Sequence, residues 1–172
     1  MINLYAYDFD RTLVPYDSFR RYLWHLIHYK PFYMCYLLVM RKFRIISSKD
    51  LKEKVTILVE SSKYLTEDAK LFATTIKQDI CIPKVQENST ILLITASPKV
   101  YMKYVVEDLD CNILCSDYID NEYIEMYGHT KAEYLHRYYS TSKYQYTYAM
   151  SDSISDVCWM KEFNEYEIIK KS

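Results

Sequence analysis

At 172 residues, half of them hydrophobic and 26% charged, the chain is long enough for one domain with a small insertion and too apolar for wholesale disorder. Its net charge of −1 gives no electrostatic footprint for nucleic acid. Five cysteines, an odd number without a compact framework, read as reduced thiols of a cytosolic protein. Cys111-x-x-x-Cys115 lacks the partner pair that a zinc site needs. No signal peptide is expected, because the first residues lead straight into a strand. There are 20 tyrosines and a single glycine, Gly128, so other residues must occupy turns that glycine would normally take.

The first predicted element is a buried strand over Ile2–Tyr7, which stops at Asp8-Phe9-Asp10-Arg11-Thr12. Ligands of open α/β sheets sit beyond the carboxyl ends of the strands. Two carboxylates there raise each other's pKa or hold a cation, and an Asp-x-Asp pair suits a hard metal such as Mg²⁺ with an oxyanion substrate. A single Asp capping the strand through an Asx turn is the plainer alternative.

Residues 14 to about 85 read as an all-helical insertion. Phe19, Tyr22, Leu23 and Leu26 recur at helical spacing before Pro31. Phe32–Met40 is uncharged and is followed by Arg41-Lys42-Phe43-Arg44. It is too short to span a bilayer, which takes ~20 apolar residues. Packed as a buried helix it needs no further explanation, and that reading is preferred here. With Lys30 on its other side it also suits the surface of an anionic membrane. Ser47-Ser48-Lys49-Asp50 forms a capping box, with Leu51, Val55, Leu58 and Val59 on one face of the helix it opens. Thr66 is expected to cap another helix that turns Ala69, Phe72, Ala73 and Ile76 inward. A helical unit placed just after a catalytic strand suggests a lid.

From residue 91 onward, strands end in chemistry. Ile91–Ile94 runs into Thr95-Ala96-Ser97-Pro98, where Ser97 and Pro98 read as N-cap and first helical residue. Capping leaves Thr95 as a strand-end hydroxyl beside a helix N-terminus, which is an anion cradle. Asn112–Cys115 is a weaker strand, and Tyr118–Tyr127 turns near Asp120-Asn121 as an edge hairpin. Thr130 is expected to cap the next helix. Lys131 then lies in its first turn, where the helix dipole does not favour a cation, so it is either solvated or a phosphate ligand. Tyr144–Met150 alternates as a strand and ends in Ser151-Asp152-Ser153-Ile154-Ser155-Asp156, with Asp152 and Asp156 spaced to converge at a helix start. Ile168-Ile169 is a candidate last edge strand.

The order Asp-x-Asp-x-Thr, strand-end Thr, helix-start Lys and Asp-x-x-x-Asp, carried by Asp8, Asp10, Thr12, Thr95, Lys131, Asp152 and Asp156, resembles the haloacid dehalogenase superfamily, whose members are mostly Mg²⁺-dependent phosphatases. The helical insertion, Ile94-Thr95-Ala96-Ser97-Pro98 and Asp17-Ser18-Phe19 look most like the phosphoserine-phosphatase-like branch (subfamily IB), which also includes bacterial phosphatases acting on phosphatidylglycerophosphate. The resemblance implies an α/β fold. A Rossmann-like, mostly parallel core formed by residues 1–13 and 86–172 would carry a helical cap at 14–85.

It further implies that Asp8 is the nucleophile and that Asp10 is the general acid and then the base. Thr95 and Lys131 would bind the phosphoryl group. Asp8, Asp152 and the backbone carbonyl of Asp10 would hold Mg²⁺, with Asp156 and Thr12 in support. Phosphoryl transfer needs positioning and charge neutralisation, which this division of labour supplies. Many relatives have glycine where this chain has Arg11 and Ser151. Arg11 either meets a second anionic group of the substrate or points to solvent, and Ser151 is expected in a turn that glycine would find easier. The substrate is a small phosphorylated metabolite or a lipid-linked phosphate. A non-catalytic phosphate-binding protein or a phosphotransferase on the same fold are the alternatives. No serine-hydrolase elbow of the G-x-S-x-G kind exists.

Overall fold

The computed structural model describes residues 1–169. Strand β1 (Ile2–Tyr7) is followed by four helices, α1 (Ser18–Ile27), α2 (Pro31–Lys42), α3 (Ser48–Glu60) and α4 (Lys63–Lys77). The chain then alternates through β2 (Ser89–Pro98), α5 (Lys99–Val106), β3 (Asn112–Ile119), β4 (Glu122–Ile124), α6 (His129–Tyr138) and β5 (Tyr144–Ser151). It ends with a 3₁₀ turn (Ile154–Asp156), α7 (Val157–Met160) and β6 (Glu165–Ile168).

The strands form one sheet in the order β4-β3-β2-β1-β5-β6, parallel except for β4. The chain leaves β1 to build β2 on one side and β5 on the other, so β1 lies where the winding reverses, the crevice in which open α/β sheets bind ligands. This is the α/β, mostly parallel architecture expected from the sequence. Alternation along β1 divides the core. Leu4 and Ala6 pack with Leu135 and Trp159, while Tyr7 packs with Leu93, Tyr101 and the apolar faces of α1 to α4.

The insertion closes on itself at its neck, where Cys81 N–H donates to Leu13 C=O at 3.0 Å. The Ser47–Asp50 capping box forms as expected, and Leu51, Val55 and Val59 are buried. Thr66 does not cap a helix. Ser62 does, and Thr66 lies one turn inside α4 with its hydroxyl donating to Val59 C=O and Ser62 C=O. Helix α2 is not buried either. It packs on α1 and α3 through Met34 and Leu37, with Leu38 and Met40 half-buried, while Phe32, Tyr33, Tyr36 and Val39 stay exposed.

The shortage of glycine is met by residues that tolerate the left-handed region. Asp120 (φ 52°) and Asn121 (φ 66°) make the β3–β4 turn, and Asn88 (φ 60°) leads into β2. Ser97 and Pro98 belong to the end of β2, and α5 starts at Lys99 without a side-chain cap. Gly128 (φ 55°), not Thr130, precedes α6. The last strand is Glu165–Ile168, paired with β5, and Ile169 adds one hydrogen bond to Ser151 C=O. All five cysteines are unpaired.

Candidate active site

The loop after β1 is a tight turn around one carbonyl. Phe9 C=O accepts from the N–H groups of Thr12, Leu13 and Val14, and Arg11 takes φ 59° at its apex. That conformation costs a non-glycine residue ~1–2 kcal/mol. Phe9 is fully buried, while Asp8 and Asp10 line a cavity of about 500 Å³ beyond the sheet. Asp152, Asp156, Lys131, Ser97 and Arg11 line the same cavity. Arg11 is exposed at its rim and pairs with Asp17 at 3.8 Å.

Lys131 is buried in the first turn of α6. Its Nζ donates to Asp8 Oδ1 at 2.6 Å and to Asp156 Oδ2 at 2.7 Å. Burial opposes the ammonium charge, but the two carboxylates outweigh it and hold Lys131 above its usual range. Burial also pushes Asp8 up to about 7, against the pull of Lys131. Asp156 Oδ2 accepts a second hydrogen bond from Ser151 Oγ at 2.7 Å. Ser151 therefore does not replace a turn glycine. It ends β5 in extended backbone and orients the lysine's partner. Thr12 Oγ1 accepts from Asp152 N–H at 3.1 Å, which ties the first loop to the last.

Asp10 belongs to a separate network. Its Oδ1 accepts from Ser18 N–H at 2.6 Å, the first amide of α1, and its Oδ2 accepts from Ser97 Oγ at 2.6 Å. Ser18 Oγ in turn lies 2.9 Å from Tyr101 Oη and 3.2 Å from Ser97 Oγ. Burial raises the pKa of Asp10, and the hydrogen bonds from Ser18 and Ser97 pull it part of the way back. A hydroxyl both donates and accepts, so the serines can follow Asp10 between its protonated and ionised forms.

Thr95 is fully buried, its hydroxyl 3.4 Å from Asp10 Oδ2 and accepting from Ser97 N–H at 3.1 Å. The β2 hydroxyl at the cavity is that of Ser97. The Ser97-Pro98 pair has the form of a helix start, which hid the contact of Ser97 with Asp10. Arg41 and Lys52 of the helical insertion also line the cavity, the latter paired with Glu125 at 2.5 Å. Neither carried a sequence signal beyond its charge.

The donor set is all oxygen, which suits a hard cation such as Mg²⁺. Among the described residues no three Asp, Glu, His or Cys side chains form a cluster able to hold a metal by themselves. The Asp10 carboxyl is committed to Ser18 and Ser97, so a cation here would take Asp8 and Asp152 and draw on main-chain oxygen.

Residues 6–161 match the haloacid dehalogenase-like hydrolase family. No curated protein sequence matches the chain. Among solved structures, a protein of unknown function from Bordetella pertussis Tohama I superposes with a TM-score of 0.61 at 15% identity, over 91% of this chain and 85% of that one. A phosphoserine phosphohydrolase-like protein from Francisella tularensis gives 0.52 at 14% identity, over 96% and 86%. A substrate-bound phosphoserine phosphatase gives 0.53 at 12% identity, over 96% and 85%. With its β1 carboxylates, its buried lysine and the fold it shares with phosphoserine-phosphatase-like proteins, the chain belongs to the haloacid dehalogenase-like hydrolase family.

Proposed function

We propose that the chain is a Mg²⁺-dependent phosphomonoester phosphatase working through an aspartyl-phosphate on Asp8. The observation that carries the reading is the separation of two carboxyls in one cavity. Asp8 is held against Lys131, and Asp10 is held by Ser18 and Ser97. The ion pair with Lys131 favours the ionised form of Asp8 that attack needs, against its burial, while burial favours the protonated form of Asp10.

An Asp8 carboxylate oxygen attacks phosphorus, the bond from phosphorus to the ester oxygen breaks, and Asp10 gives its proton to that oxygen. Asp10 then takes a proton from water as the water oxygen attacks phosphorus. The phosphorus–Asp8 bond breaks and inorganic phosphate leaves. Lys131 offsets the repulsion between a phosphate dianion and Asp8. Mg²⁺ held by Asp8, Asp152 and the Asp10 carbonyl supplies further neutralisation of the phosphoryl oxygens when bound. Asp156 and Ser151 keep Lys131 in place.

The test is hydrolysis of p-nitrophenyl phosphate and a panel of phosphomonoesters, with Mg²⁺ and with EDTA, beside Asp8→Asn. Metal-dependent turnover that disappears in the variant is expected. Turnover that survives in Asp8→Asn, or none on any ester with Mg²⁺ bound, overturns the reading. Phosphate appearing on an acceptor alcohol in place of free phosphate would mark a phosphotransferase.

A further inference from the structure

Helix α2 leaves one side unpartnered. Phe32, Tyr36, Val39 and Phe43 follow at intervals of four, three and four and form a single stripe. They are 91%, 55%, 50% and 69% exposed, and Ile45 just beyond them is 63% exposed. Burial of the opposite side on Met34 and Leu37 fixes the helix so that this stripe faces outward. Isolated exposed hydrophobes are ordinary on a protein surface, but a contiguous stripe of aromatic and branched residues marks a binding surface.

The charge around the stripe points to the occupant. Residues 18–49 contain seven lysines and arginines and no aspartate or glutamate, while the remaining 140 residues carry 15 basic against 23 acidic side chains. Lys30 precedes the stripe, and Arg41, Lys42 and Arg44 sit at its far end. A second copy of this chain meeting the stripe face to face would bring like charges together. An anionic lipid surface offers apolar depth to the stripe and negative charge to its basic ends at once. At 12 residues α2 is ~18 Å long. No helix among the described residues is long and apolar enough to cross a membrane, so α2 can lie in the interface but not span it.

We infer that the chain docks on anionic membrane surfaces through the exposed stripe of α2 and its flanking basic residues. Arg41, in the last turn of that helix, also lines the cavity holding Asp8 and Asp10. Docking therefore sets the mouth of the cavity beside the lipid headgroups. Docking itself does not depend on the phosphatase reading.

The experiment is co-sedimentation of the full chain with vesicles of phosphatidylcholine alone, and of phosphatidylcholine containing phosphatidylglycerol. Three proteins are compared: wild type, Phe32→Ser/Phe43→Ser and Lys42→Gln/Arg44→Gln. The wild type is expected to bind the anionic vesicles at least tenfold more tightly than the neutral ones, and less tightly as salt rises. The charge variant should lose about 25-fold, at about fivefold per basic residue, and the phenylalanine variant at least tenfold. Both variants should keep the wild-type melting temperature and turnover of soluble esters, because none of the four residues lines the cavity. No wild-type binding to anionic vesicles overturns the inference, as does binding that neither variant weakens. A concentration-dependent dimer that the phenylalanine variant breaks, without vesicle binding, overturns it in favour of a second copy.

Discussion

Replacing Lys131 by methionine removes one charge from between two buried carboxylates while keeping an unbranched side chain of nearly the same length. Asp8 and Asp156 are 7% and 1% exposed and lie 2.6 and 2.7 Å from the ammonium. Removing one member of a buried ion pair costs ~3–5 kcal/mol, because the partners are left without compensation. For a chain of this size that is a fall in melting temperature of about 6–20 °C. The loss should depend on pH. Burial already pushes Asp8 from 3.8 up to about 7, with Lys131 pulling it down. Without that pull its folded pKa climbs further. A carboxyl whose folded pKa is raised holds its proton in the native state where the unfolded chain has lost it, so stability falls as pH rises through that window. The penalty for Lys131→Met should therefore be larger at pH 8 than at pH 5. Urea denaturation of both proteins in EDTA at the two pH values measures it. A loss below about 1 kcal/mol at pH 8, the range of an exposed pair, or an equal loss at both pH values, would refute the assignment of Lys131 as a buried counter-ion.

Ser97→Ala removes the hydroxyl that donates to Asp10 Oδ2. That bond lowers the pKa of Asp10, and a hydrogen bond to a charged group is worth ~1.5–3 kcal/mol. The alkaline limb of the kcat/KM profile should then move up by about one to two pH units, and an unmoved limb would detach Ser97 from the general acid. In thermal melts, Mg²⁺ at 100 times its Kd should stabilise the EDTA-treated wild type by ~2.7 kcal/mol, or about 5–10 °C. Asp152→Asn should lose most of that gain, and an undiminished shift would place the cation elsewhere. Lys52→Ala breaks the 2.5 Å contact between α3 and Glu125 and removes a cation from the cavity lining, so it should raise KM; a KM left as it was would remove Lys52 from substrate binding.

Much of this was legible in the chain itself. The apolar run Ile2–Tyr7 ending in Asp8 and Asp10 set the central strand, and the shift to 3.6-residue periodicity at Phe19 marked the helical insertion. The Asp120-Asn121 turn was visible because those two residues tolerate positive φ. What misled the reading was local chemistry that tertiary contacts put to other uses. Ser97 before Pro98 has the form of a helix cap, yet its hydroxyl goes to Asp10 across 87 residues. Ser151 looked like a strained glycine replacement, yet it is extended and serves Asp156. Thr66 looked like a cap because a threonine hydroxyl can accept from first-turn amides, yet here it donates to main-chain carbonyls from inside the helix. The uncharged α2 segment suggested burial because hydropathy records how apolar a helix is, not how many neighbours the fold provides for it. Only the positions of α1 and α3 decide that Met34 and Leu37 are covered and Phe32 is not.

The central claim is that phosphate is transferred to Asp8 itself, and Asp10→Asn tests it most directly. With p-nitrophenyl phosphate the leaving group needs little help from an acid, so the first step should persist while the second, which needs Asp10 as base, slows. Rapid mixing with Mg²⁺ and acid quench should show a burst of about one p-nitrophenolate per enzyme, and mass spectrometry should find a phosphoryl group on the peptide that contains Asp8. A phosphoryl group on another residue, or steady turnover with no burst and no covalent phosphate, would contradict the account.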